Sequence, residues 1–295
     1  MNREESLQYC KGILHDFIDE RLGGDIKGLC RFDIGTLSDS DKYGRPPEYH
    51  SAWNFDPDDS VLARCALYLV YCDEIGGLTF DDIGKGYRGD TLFTPGNLMG
   101  RADSLTLRND KTFWSRQEIS PSENGELCRK IDGFLKDYHT LSNMALFPNA
   151  AVCVMRRNMY SRRYEPHAET LNQYRGMNSP GFSDYMDVFL ENVRENLCHM
   201  PTEDRNFQKL FSENGFYFDK YDDDFQRFIE SHFLGVFYEN EDVSAGLSEQ
   251  FCFRHLVRWR KAPGYAAEIE KFLTAFYKMS EYRAGKITNK LAGVL

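Results

Sequence analysis

The stretch Thr170-Leu-Asn-Gln-Tyr-Arg-Gly176 sets an amide, a guanidinium and a glycine just ahead of a strongly periodic segment, the combination an anion site requires. The Arg175 guanidinium offers a fixed planar charge, the Asn172 amide can orient what binds, and Gly176 lets the backbone come close. In the following segment Phe182, Met186, Phe189, Val193 and Leu197 recur at helical spacing, while Asp184, Asp187, Glu191 and Arg194 fall on the other side. Ser179-Pro180-Gly181 marks the start of this helix, so Arg175 and the first-turn N–H groups would meet an anion together. An ion pair from Arg175 to Asp184 that simply fixes the loop is the competing reading.

Three further stretches carry chemistry. Gly84 to Gly100 is glycine-rich and contains Arg88, Asp90 and Thr91, but it has neither the phosphate-loop nor the dinucleotide order of residues. A predicted helix over 124–142, with the apolar stripe Leu127, Ile131, Phe134, Tyr138 and Leu141, carries His139 at the edge of that stripe and leads into Asn143. A histidine there, near a helix C-terminus, is a candidate acid or base, and a satisfied structural histidine is the plainer alternative. Arg156, Arg157, Arg162 and Arg163 alternate with Tyr160 and Tyr164, which suits phosphate pairing with base stacking or, equally, a solvated surface.

The elements that must position these residues read as helices. The pattern predicts helices over 4–22, ending at Gly23-Gly24, and over 59–75, capped by Asp59 or Ser60. Further helices are predicted over 203–213, 221–239, 249–260 and 264–286. Residues 30–59 are irregular yet rich in aromatics, as an ordered loop is, and residues 104–120 are also irregular. The expected fold is therefore predominantly α, a multi-helix globular fold with long ordered loops in the N-terminal half. Residues 1–30 form an N-terminal helical addition and 31–295 one large helical domain, or two packed lobes meeting near 150–180.

The totals exclude several classes. A net charge of −10 argues against general phosphate neutralisation as the mode of nucleic-acid binding. Eight cysteines without a Cys-x-x-Cys spacing point to free buried thiols in a reducing cytoplasm rather than a zinc site. No apolar run is long enough for a membrane span, and the charged N-terminus does not read as a signal peptide.

With these motifs in place, the chain resembles an uncharacterised bacterial family, a domain of unknown function. The likeness lies in the aspartate-containing loop from Asp39 to Trp53 with His50, in Gly89-Asp90-Thr91, and in Leu141 to Pro148. It is strongest at Thr170 to Gly176 with the helix from Asp184 to Arg194. The usual Gly before Asn143 and Arg before Tyr185 are missing. The resemblance carries no activity, but it implies that Asp90, Asn143, Asn172, Arg175 and Asp187 belong to one recurring pattern.

The functional expectation is an enzyme or ligand-binding protein acting on a phosphate-bearing substrate, a nucleotide or nucleic acid. Arg175 and Arg88 would hold the anion, Asn143 and Asn172 orient it, and His139 or Asp90 transfer a proton. The alternative is a non-catalytic interaction protein of phage-defence or counter-defence type, with an acidic surface including Asp222-Asp-Asp224 engaging a protein partner. A metal-dependent hydrolase ranks third, since seven histidines and many aspartates permit a site that no spacing specifies. No motif names a cofactor or fixes the oligomeric state.

Overall fold

The structure is a computed structural model that describes residues 1–38, 40–45, 57–84, 86–93, 125–148, 190, 194, 221, 224–252 and 265–295. Among these residues the secondary structure is six α-helices, one two-stranded ribbon and several single 3-10 turns, so the fold is predominantly α as the periodicity predicts.

Helix α1 (Arg3–Leu22) starts in a capping box: the Asn2 side chain accepts from the Glu5 amide, and the Glu5 carboxylate accepts from the Asn2 amide. It stops at Gly23, whose φ of 60° few other residues tolerate. The short α2 (Ile26–Arg31) follows. Helix α3 (Val61–Tyr71) is capped by the Ser60 hydroxyl, which accepts from the Ala63 amide, and all eleven of its residues are buried. It therefore runs through the centre of the protein rather than along its surface.

Helix α4 (Gly125–Asp137) buries the predicted stripe but ends five residues short of Ser142. The Thr140 hydroxyl donates to the Asp137 carbonyl there, and the chain turns into strand β2 (Met144–Pro148). Strand β1 (Tyr87–Thr91) pairs antiparallel with β2, Gly89 opposite Leu146. The expected 221–239 helix is a correction: only α5 (Phe225–Ser231) is helical, and the chain leaves it through Phe233 at a φ of 55°. Successive 3-10 turns at Gly235–Phe237, Glu239–Glu241, Val243–Ala245 and Glu249–Phe251 follow in place of continuous helix.

Helix α6 (Tyr265–Val294) runs thirty residues and packs against α2, α3, α4 and the turn ahead of β2. Its Phe272 and Phe276 meet Phe134 of α4 edge to face, with centroids 5.5 and 4.8 Å apart, and Phe93 joins them beyond the end of β1. Residues of α1, Cys10, Leu14, Phe17 and Ile18, lie in the same core as these rings. The six described cysteines are free and buried. Of the segment from Phe182 to Leu197, Leu190 is helical and buried and Arg194 is helical and exposed. No helix among the described residues is long and apolar enough to cross a membrane.

Candidate functional site

Strand β1 alternates, as a half-buried strand must: Tyr87, Gly89 and Thr91 turn inward, while Arg88 and Asp90 share the partly exposed face. Arg88 is held from below. Its Nη2 lies 3.1 Å from Oδ2 of Asp59, with 33% of the Arg88 side chain exposed against 14% for Asp59. Asp58 and Asp59 belong to the 3-10 turn Pro57–Asp59, which leads directly into the Ser60 cap of α3. This turn can lie against the strand only because residue 89 is glycine. A Cβ at Gly89 would stand 2.5 Å from Leu67 Cδ1 and 3.2 Å from the Asp58 carbonyl oxygen. The sequence thus builds a guanidinium held by the Asp59 carboxylate, with Asp90 two residues on along the same face of the strand.

His139 lies in the turn after α4 and is only 8% exposed. Its carbonyl accepts from the Ile34 amide at 2.9 Å, which ties it to the 3-10 turn Ile34–Thr36. There the Asp33 carboxylate accepts from the Gly35 amide. Asp33 Oδ1 and His139 Nδ1 each lie 3.0 Å from where a Gly35 Cβ would sit, so glycine again permits the approach. Asp137, at the end of α4, has its carboxyl pushed above the ordinary aspartate range, chiefly by burial and secondarily by the nearby Asp33 charge. The Tyr277 hydroxyl donates to it at 3.3 Å and opposes part of that rise. Burial, with Asp137 beside it, pushes the Tyr277 hydroxyl up to about 12, so it stays a donor at neutral pH.

Asn143 joins the two regions, and the structure gives it a different task from the one expected. Fully buried, it donates through Nδ2 to the Phe93 and Tyr138 carbonyls at 2.7 and 2.8 Å, and its Oδ1 accepts from the Phe93 amide at 2.9 Å. Both amide hydrogens are spent on backbone, so the side chain clamps the end of β1 to the end of α4 rather than orienting a ligand. Asp90 pairs across the ribbon with Ala145, two residues past Asn143, which brings Asp90 and Asn143 close together. Asn172, Arg175, Asp187 and the cluster Arg156, Arg157, Arg162 and Arg163 lie outside the described residues.

Several residues that shape this region escaped the sequence reading. Asp58 and Asp59 appear in sequence as a helix start, and nothing local announces that Asp59 answers an arginine on a strand. Asp33 and Gly35 are positioned by contacts between distant elements, which no spacing encodes, and the Gly89-Asp90-Thr91 motif does not tell that Gly89 makes room for a distant turn. Among the described residues, no group of three or more His, Cys, Asp or Glu side chains lies close enough to hold a metal ion. Comparison with protein-family models, curated proteins and solved structures returned no match.

Proposed function

We propose that the protein binds a phosphate-bearing ligand, a nucleotide or a nucleic-acid segment, on the exposed face of β1, with Arg88 pairing the phosphate and Asp90 beside it as the proton-transfer group. The observation that carries this reading is the Arg88 guanidinium, fixed at 3.1 Å from Asp59 yet one-third open to solvent on a rigid strand. An anion would meet a charge already oriented, with little further ordering to be done. His139 would serve the same site through the Asp33 turn, and Arg175 and the arginine cluster would extend the anion contact. The adjacency of Asp90 and Asn143 supports the resemblance to the uncharacterised bacterial family, and the buried free thiols fit a cytoplasmic location.

The interaction-protein alternative draws less support. Glu20, Asp41, Asp73, Glu270 and Glu281 are each ion-paired to a lysine or arginine, which divides the acidic surface into neutralised pairs. The test is isothermal titration of nucleotides and short RNA into the wild type, Arg88→Ala and Arg88→Lys. A lost charge-assisted contact is expected to weaken the best ligand by about tenfold to a hundredfold in Arg88→Ala, with partial recovery in Arg88→Lys. Equal affinity in all three proteins, each with a wild-type circular dichroism spectrum, would remove Arg88 from the site.

A further inference from the structure

A second charge lies deep in the core, away from this face. Arg283, in the C-terminal half of α6, is fully buried. Its Nη2 donates to the Met144 carbonyl at 2.6 Å, while Nε and Nη1 have no hydrogen-bond acceptor. Tyr71, the last residue of α3, is also fully buried; its oxygen faces this guanidinium as an acceptor, while its own hydroxyl hydrogen has no acceptor in reach. No Asp or Glu among the described residues pairs with Arg283. The Cys30 thiol, the other polar group acting on the guanidinium, stays protonated because burial pushes it up.

A guanidinium enclosed without a carboxylate is costly by several kcal/mol, since the core replaces neither its hydration nor its counter-charge. Tyr71, pushed up by burial, remains a neutral phenol and so brings a hydrogen rather than a negative charge. Arg283 Nε contributes one uncommitted N–H and Nη1 two, so with the Tyr71 O–H every unspent hydrogen seeks an acceptor. We infer that Arg283 and Tyr71 form an internal site for a small monovalent anion of the halide class. One negative charge balances the one guanidinium; a phosphate would bring a second charge and more oxygen acceptors than these donors satisfy. A water molecule would satisfy the hydrogen bonds and leave the charge uncompensated.

The experiment is thermal unfolding of the full-length protein in sodium gluconate, with sodium bromide or chloride substituted stepwise at constant ionic strength. Wild type should gain a rise in Tm that grows with the logarithm of halide concentration and reaches about 5 °C at about a hundred times the dissociation constant. Tyr71→Phe should need more halide for the same rise. Arg283→Met should show no rise and should melt in gluconate at least as high as wild type, because the uncompensated charge is gone. Bromide anomalous scattering beside Arg283 would place the ion directly and serves if Arg283→Met does not fold. Identical wild-type melting in both salts, or the same halide response in Tyr71→Phe, would overturn the assignment and leave backbone dipoles as the compensation. Because the titration needs no phosphate-bearing ligand, its outcome is independent of the proposal for β1.

Discussion

Asn143 and Asp137 stand six residues apart and illustrate opposite fates of a buried polar group. Asn143 meets three backbone groups, and removing its amide leaves the Phe93 amide and the Phe93 and Tyr138 carbonyls without it. Orphaned buried groups of this kind cost about 1–3 kcal/mol each, so Asn143→Ala should lose roughly 3 kcal/mol or more in urea denaturation. A variant of unchanged stability that nonetheless lost ligand would return Asn143 to a binding role. Asp137 is under strain of another sort. Because burial raises its folded pKa above the unfolded value, the native state holds the proton more tightly. Its contribution therefore favours folding at acidic pH and declines as the pH climbs through and above the ordinary aspartate value of 3.8. Asp33, Lys136 and Tyr277 are the charged or titrating groups that act on it. Asp137→Asn should abolish that part of the decline and be at least as stable as wild type at pH 7, which unfolding curves collected from pH 4 to 7 would show. A constant stability difference across that range would mean that burial does not govern this carboxyl. Neither behaviour was legible in the sequence: Asn143 reads as ligand-facing through the family resemblance, which marks a polar position without its partners, and Asp137 reads as interior to a helix that in fact stops there.

At the scale of elements, the sequence was a good guide wherever local signals agreed with packing. The Gly23-Gly24 pair ends α1 where expected, and Leu127, Ile131 and Phe134 of α4 face the core as their spacing requires. Legibility failed where a distant element decides. The chain abandons helix at Asp137 so that residues 144–148 can pair with β1, and it leaves α5 through a left-handed Phe233, a residue type that announces no such turn. The β1 ribbon itself hides its main requirement in Gly89. Gly89→Ala would force a methyl group against Leu67 Cδ1 and the Asp58 carbonyl. Overpacking of this kind costs about 1–3 kcal/mol: the Leu67 side chain must move, and the turn that carries Asp59 must also give slightly at the Asp58 carbonyl. The expected result is a lower melting temperature together with weaker ligand binding at Arg88. Full retention of both would show that the turn and strand are not rigidly coupled.

Across the whole molecule, α6 does more than its pattern of residues leads one to expect. Its periodic Phe272, Phe276 and Met279 read as ordinary scaffold, yet the helix reaches α2, α3 and α4 and also carries the buried Arg283. Ion pairs fasten its length to elements far away in sequence, Glu270 to Lys130, Glu281 to Lys27 and Arg31, and Lys290 to Glu74. This helix is also synthesised after every element it packs against. Until it emerges from the ribosome, Phe93 and Phe134 have no Phe272 or Phe276 to meet, and the earlier helices must wait with that apolar surface uncovered. Closure of this aromatic cluster therefore waits for translation of α6, which begins at Tyr265.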